Sequence, residues 1–325
     1  MVLLKFLRNF AVVWGLLLSG CTTPSGELGI FTVDDGRGAI AASMNVYFYK
    51  PPAFKPDGPV LIVVHGLSRN VAGYRNYFTE VAERYGALIL APEFNRENFQ
   101  GSRRFNLGNL KNSLGDDLPQ SQWSFPIIDR VFDQVNLGNL KNSLGDDLPQ
   151  SQWSFPIIDR VFDQARTQLG FSQKRYSLFG HSAGSQFVHR MIMFSPSNKL
   201  IAAVAANAGW YTEPNLAIDF PYGLKNAPAE KKNLRRAFGQ KLIIMLGQHD
   251  INETHRSLRR TDEANAQGSH RFARGKYFFQ RSKEVAQKLG VPFAWRLREV
   301  PGVAHSGRGM AGPAGDVLLG AKSSK

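Results

Sequence analysis

The chain is poor in cysteine. Cys21 is the only one in 325 residues, so no disulfide can close within it and no cysteine cluster can hold a metal. No His-Glu-x-x-His stretch supplies the other common metal signature, and nothing in the sequence requires a cofactor. Apolar runs are short: Phe10 to Leu18 falls well below the ~20 residues that a membrane-spanning helix needs. Acidic residues are few beside basic ones, 26 against 40, and the resulting net charge of +14 draws the surface toward anionic partners. That charge comes without zinc-finger spacing or a basic-aromatic RNA-binding motif, and the Lys and Arg residues are scattered, so no nucleic-acid partner is expected. What remains is ordinary globular composition, 43% hydrophobic and 11% aromatic, with enough chain for one large catalytic domain.

The N-terminus reads as an export signal. Lys5 and Arg8 precede the apolar run, and the small residues Ser19 and Gly20 follow it. Leu18-Ser19-Gly20-Cys21 resembles the lipobox of bacterial lipoproteins, which implies cleavage after residue 20 and acylation of Cys21. A plain secretory signal with an incidental cysteine is the competing reading. Thr22, where some lipoproteins carry Asp, implies by the same resemblance an outer-membrane anchor facing the periplasm. Residues 21–43 are then a tether and leading segment, with the Thr-, Ser-, Gly- and Pro-rich stretch Thr22 to Leu28 as the tether, and 44–325 the folded domain.

Within that domain strand patterns alternate with helical ones. Met44 to Tyr49 alternates and stops at Pro51-Pro52, as an antiparallel leading strand would. Val60 to Val64, Ala87 to Ala91, Tyr176 to Phe179, Ile201 to Ala206 and Lys241 to Leu246 are mainly apolar runs suited to strands covered on both faces, and Phe293 to Val300 is a more polar last strand. Helical spacing is read over Tyr74 to Arg84, Ile157 to Leu169, Ser185 to Phe194 and Lys276 to Leu289. The β-α-β alternation predicts an α/β fold with a doubly wound, mostly parallel sheet and a ligand site at the carboxyl ends of its strands. One feature breaks the pattern: Asn106 to Gln134 recurs residue for residue at Asn136 to Gln164. A perfect pair points to a recent tandem duplication or an assembly error in the sequence rather than to a repeat architecture, which needs three or more units. The second copy runs directly into Tyr176 to Phe179, so its helix is expected to fill the layer, leaving the first copy outside the sheet.

The chain is organised around Tyr176-Ser-Leu-Phe-Gly180-His-Ser182-Ala-Gly184. A strand turning sharply into a helix lifts the middle serine of Gly-x-Ser-x-Gly clear of the sheet edge, and only small neighbours tolerate that crowding. Ser182 is the expected nucleophile. It needs a base, and the base needs a carboxylate, in the chain order Ser, acid, His. Asp250 ends the strand Lys241 to Leu246 and is the expected acid, with Glu253 and Asp262 as alternatives further into the same loop. His305, just past the last strand, is the expected base. Its rivals fail on position: His181 lies inside the elbow and should point away from the serine, His189 is well into the following helix, His65 precedes the next loop and His249 adjoins the acid. The backbone N–H groups of Leu67, in the loop His65-Gly66-Leu67-Ser68-Arg69-Asn70, and of Ala183 are the expected oxyanion donors. Trp210 and Tyr211 are candidate pocket residues, with core packing as the alternative. The Arg-rich run from Leu258 to Arg271 is a candidate cap for a negatively charged substrate, although such runs are more often solvated loops.

Gly180-His-Ser-Ala-Gly184, His65-Gly66, the strand-end Asp250 and the late His305 resemble the alpha/beta-hydrolase superfamily, over the chain from about Val46 onward. That resemblance implies a sheet of about eight strands and a serine hydrolase. Pro92-Glu93-Phe94, Gly101-Ser102-Arg103 and Asn207-Ala-Gly-Trp210-Tyr211 resemble bacterial secreted esterases of the polyhydroxybutyrate-depolymerase or feruloyl-esterase-like branch. A carboxylic-ester hydrolase acting on a small or polymeric ester is therefore expected. A peptidase or amidase on the same three residues, and a non-catalytic envelope lipoprotein with a binding role, are the alternatives.

Overall fold

The computed structural model describes residues 25–33, 44–97, 106, 156–194, 197–225, 227 and 231–320. The export signal and Cys21 lie outside them. Eight strands form one sheet: β1 (Glu27–Val33), β2 (Met44–Lys50), β3 (Val60–Val64), β4 (Leu88–Pro92), β5 (Tyr176–His181), β6 (Leu200–Ala206), β7 (Leu242–Gly247) and β8 (Arg296–Val300), in the spatial order β1-β2-β4-β3-β5-β6-β7-β8. β2 runs antiparallel to both of its neighbours, and every other pairing is parallel.

The uninterrupted apolar runs have a direct structural cause. Side chains alternate across a strand, so Val60, Ile62 and Val64 pack on one face of β3 while Leu61 and Val63 pack on the other. Helices α3 (Pro156–Leu169), α4 (Ala183–Phe194), α5 (Lys231–Gly239) and α7 (Arg271–Lys288) cover the first face. Helices α1 (Val71–Tyr77), α2 (Thr79–Tyr85) and α8 (Gly307–Leu319) cover the second. A further short helix, α6 (Asp262–Ala266), lies between β7 and α7. With both faces covered, both sets of β3 positions are apolar.

Two expectations need correction, and one helix was not expected. The sheet begins earlier than residue 44: Glu27 and Leu28, read as tether, open β1, which pairs with β2 along its whole length. The single helix expected over Tyr74 to Arg84 is two, broken at Phe78, whose ring is buried against Phe179 with centroids 4.9 Å apart. Helix α5 was hidden because its apolar stripe is narrow: Leu234, Ala237 and Phe238 are buried while Lys231, Lys232, Arg235 and Arg236 face outward.

The duplicated segment falls in the connection from β4 to β5. Residues 156–164 of its second copy begin α3, where Ile158, Val161 and Phe162 are fully buried, so this copy fills the layer. Of the first copy only Asn106 is described. It is buried, its side chain donates to Gln186 Oε1, and its carbonyl accepts from Arg190 Nη1. Deleting 106–135 joins Phe105 to Asn136, restoring the same residue at that place and keeping Ala165 in α3. This deletion variant is expected to keep parental ester turnover and melting temperature. Deleting 136–165 instead puts Val135 where Ala165 is fully buried, and overpacking of that kind costs about 1–3 kcal/mol. Thermal melts and turnover of the two variants check this, and a soluble but inactive 106–135 deletion would overturn it.

Candidate active site

The carboxyl ends of β3, β5, β6, β7 and β8 all open on one edge of the sheet, and each contributes to the site. At the end of β5 the chain turns into α4 through Ser182, whose φ of 58° is a strained left-handed value for a non-glycine residue. The flanking glycines are required by close approach. A Cβ on Gly180 would meet the Gly184 carbonyl oxygen at 2.2 Å, and one on Gly184 would meet the Val64 carbonyl oxygen at 2.3 Å. The turn is held by Ser182 N–H donating to Ala206 O at 2.9 Å and by its own carbonyl accepting from Gln186 N–H at 3.1 Å.

Three of the expected residues come together. His305 Nε2 lies 3.1 Å from Ser182 Oγ, and His305 Nδ1 lies 2.7 Å from Asp250 Oδ2. Asp250 is 2% exposed, the solvation expected of a carboxylate whose work is to orient a partner rather than meet water. The loops that carry acid and base are joined below the site. Gln248 N–H donates to Val300 O and His249 N–H to Val303 O, at 3.0 and 2.9 Å. Asn207, at the exit of β6 with φ of 50°, accepts from Gly247 N–H and donates to Ala304 O, at 2.9 and 3.2 Å. Neither alternative acid is in place: Glu253 accepts from Ser269 Oγ, and Asp262 opens α6.

A cleft of about 840 Å³ covers Ser182. Gly66 and Leu67 line it from the β3 exit, and Ala183 opens α4 beside it. Arg69, Arg96, Arg256 and Arg308 also line it, with no Asp or Glu among the lining residues. Burial and the neighbouring Arg96 charge push the Arg69 guanidinium down to about 10, so part of this positive charge is held against its own repulsion. Trp210 and Tyr211 are absent from the lining, so of the two readings offered for them the structure shows core packing. Tyr211 is fully buried and stacks on Phe278, with centroids 4.5 Å apart, while Trp210 packs on Tyr222 with Arg190 and Arg259 over its ring. Of the Arg-rich run, Arg271 is buried while Arg259 stays exposed and donates to Tyr222 Oη, and the cleft wall is made just before the run by His255, Arg256 and Ser257.

Four contributors escaped the sequence reading. The His181 ring lies 4.8 Å from that of His305, and its Nδ1 is 2.7 Å from Tyr74 Oη, so it is part of the site despite its place inside the elbow. Burial, His305 and Arg271 hold it well below the usual histidine range, which leaves it neutral. His255 accepts at Nδ1 from two groups that can only donate, Ser257 N–H at 3.2 Å and Arg271 Nη2 at 3.3 Å, and must therefore be neutral with its proton on Nε2. Burial and the Arg271 charge lower its pKa accordingly. Tyr74 and Arg271 are single residues on helices with no local motif to mark them. Among the described residues no group of three or more His, Cys, Asp or Glu side chains is arranged to hold a metal ion. No described helix is long and apolar enough to cross a membrane.

The geometry offers a serine hydroxyl, an imidazole nitrogen placed to accept its proton and a buried carboxylate behind that imidazole, which is the arrangement needed to activate an alcohol as a nucleophile. No family model matches the chain, and no curated protein matches it. Solved structures do. Poly(aspartic acid) hydrolase-1 from Sphingomonas sp. KT-1 is 35% identical, with 90% of this chain and 98% of that one aligned at a TM-score of 0.71. The LpqC poly(3-hydroxybutyrate) depolymerase from Bordetella parapertussis is 28% identical over 92% of each chain, at a TM-score of 0.75. An S-formylglutathione hydrolase from Agrobacterium tumefaciens, at 17% identity over 91% of this chain and 95% of that one and a TM-score of 0.50, shares the fold alone. From its strand order and its 35% identity to a hydrolase that it spans almost end to end, the chain belongs to the alpha/beta-hydrolase superfamily of serine hydrolases and is itself a hydrolase.

Proposed function

We propose that the chain is a carboxylic-ester hydrolase working through an acyl-enzyme on Ser182. The observation that carries this is the two-bond relay from Ser182 through His305 to Asp250, at 3.1 and 2.7 Å. Ser182 Oγ attacks the ester carbonyl carbon as His305 Nε2 takes its proton, and Asp250 stabilises the imidazolium formed. The backbone N–H groups of Leu67 and Ala183 receive the oxyanion. Collapse breaks the bond to the alkoxide, which leaves as the alcohol with the proton from His305. Water, deprotonated by the same imidazole, then attacks the acyl-enzyme, releasing the acid and restoring Ser182.

The four cleft arginines favour a substrate that carries carboxylates, since guanidinium pairs with carboxylate at short range and in defined geometry. Poly(aspartic acid), the substrate named for the Sphingomonas enzyme, is a polymer of that character. Its units are joined by amides, so an amidase acting through the same residues is the second reading. At the N-terminus, residues 1–20 are removed and the acylated Cys21 anchors the enzyme in the outer membrane facing the periplasm, the chemistry that Leu18-Ser19-Gly20-Cys21 supports.

The test is labelling by a fluorophosphonate probe, with the modified residue located by peptide mapping. Labelling is expected at Ser182, slowed at low salt by a carboxylate-bearing polymer and unaffected by a neutral one. Labelling elsewhere, or none, would refute the mechanism. Equal competition by both polymers would refute the charge preference alone.

A further inference from the structure

The catalytic carboxylate has an unusual second partner. His305 occupies Asp250 Oδ2, and the buried Arg271 guanidinium reaches Oδ1 from the first turn of α7, Nη1 to Oδ1 at 3.5 Å with both side chains 2% exposed. A carboxylate this deeply buried needs both oxygens occupied, because an unpaired buried charge costs more than an ion pair returns. The segment around Arg271 is itself fixed to the acid, since Phe272 N–H donates to the Asp250 carbonyl at 3.2 Å. The other arm of the guanidinium points at the cleft wall: Nη2 donates to Ser257 Oγ at 3.0 Å and to His255 Nδ1 at 3.3 Å. Ser257 and His255 flank Arg256, one of the four cleft arginines.

We propose that Arg271 is a positioning residue for the relay, aiming Asp250 at His305 and tying the acid to the cleft wall that carries Arg256. This rests on the ester-hydrolase reading above. The groups facing His305 and Asp250 are few. His181 approaches from β5 with Tyr74 of α1 bonded behind it, His255 approaches from the loop after β7 with its ring 5.8 Å from that of His305, the Tyr211 hydroxyl feels the charge of Asp250, and Arg256 and Arg308 line the same cleft. His181 and His255 are neutral, and Arg271 is the one Lys or Arg within ion-pairing distance of Asp250 among the described residues. Its positive charge repels a second one on the imidazole, and its geometry holds the acid in line.

Two consequences can be separated by experiment on the full chain. Arg271→Met removes both the charge and the tether. On a chromogenic ester, kcat is expected to fall on the order of 10- to 100-fold, with the acidic limb of the kcat/KM profile displaced upward by about one pH unit. Arg271→Lys keeps the charge and shortens the reach, so its limb should stay at the wild-type position while kcat recovers in part. Should Arg271→Met not fold, Arg271→Gln reads the same limb and keeps a donor toward Ser257. An unmoved limb in the folded neutral variant, with loss of activity matching only a lower melting temperature, would overturn the proposal. Absence of fluorophosphonate labelling in the wild type would instead strike the underlying mechanism, so the two failures are distinct.

Discussion

Replacing Ser182 by Ala is expected to lower kcat on an ester about 10⁶-fold, with KM little changed. The hydroxyl is the only part of this side chain that reaches His305, and the elbow places it by backbone geometry, with φ of 58° and neighbouring glycines that pack on backbone atoms. Alanine fits the same turn, so the variant should fold and still bind substrate. His305→Ala should fall about as far, and the double variant no further, because the two residues act as one unit and the residual rate comes from oxyanion stabilisation and binding. Turnover measured under saturating substrate checks both. A double variant much weaker than either single one would mean that Ser182 and His305 act independently, and a Ser182→Ala enzyme of undiminished turnover would end the mechanism.

The second large effect is at the acid. Asp250→Asn is nearly isosteric, and in a solvated site its amide could turn either way. Here it cannot, because Arg271 offers only donors to the position of Oδ1. The amide oxygen must face Arg271, which turns its NH₂ toward His305 Nδ1 at the place where a 2.7 Å hydrogen bond is now accepted. His305 then accepts at Nδ1 and carries its proton on Nε2, facing Ser182 with a donor where an acceptor is needed. A fall of about 10⁴-fold in kcat follows, together with a lowered melting temperature, because the buried Arg271 guanidinium loses its counter-charge. Stopped-assay kinetics at neutral pH settle it, and a fall smaller than about tenfold would show that the acid contributes little to the relay.

The readable parts of the chain were those in which a local pattern has a single physical cause. β3 is apolar and β5 is buried at every position because helices cover both faces, and the elbow is legible because only glycine tolerates backbone at 2.2–2.3 Å from a Cβ. Asp250 and His305 could be placed because each follows a strand whose carboxyl end opens on the same edge. What the sequence hid depends on contacts far along the chain. Trp210 and Tyr211 follow β6 at that same edge, yet aromatic partners on distant segments, Tyr222 and Phe278, draw them into packing instead. Arg271 looked like one more cation in a polar run, and only the fold shows it buried against a carboxylate 21 residues earlier. β1 was passed over because its Gly29 and the flanking Thr-, Ser- and Gly-rich stretch resemble a linker, whereas its pairing with β2 is a long register that no local pattern announces.

The connection from β4 to β5 has a wider consequence. It holds the 30-residue repeat (136 − 106), and it feeds a helix in which Ile158, Val161, Phe162 and Ala165 are buried. Closing a loop of doubled length costs only about 0.6 kcal/mol, since the entropy of closure grows with the logarithm of length. Neither strand that it joins carries Asp250 or His305, and the bonds that lock those loops together run through Asn207, Gly247 and Ala304 instead. The length of that stretch can therefore change at little cost in closure entropy while the bonds that hold the Asp250 and His305 loops together stay as they are.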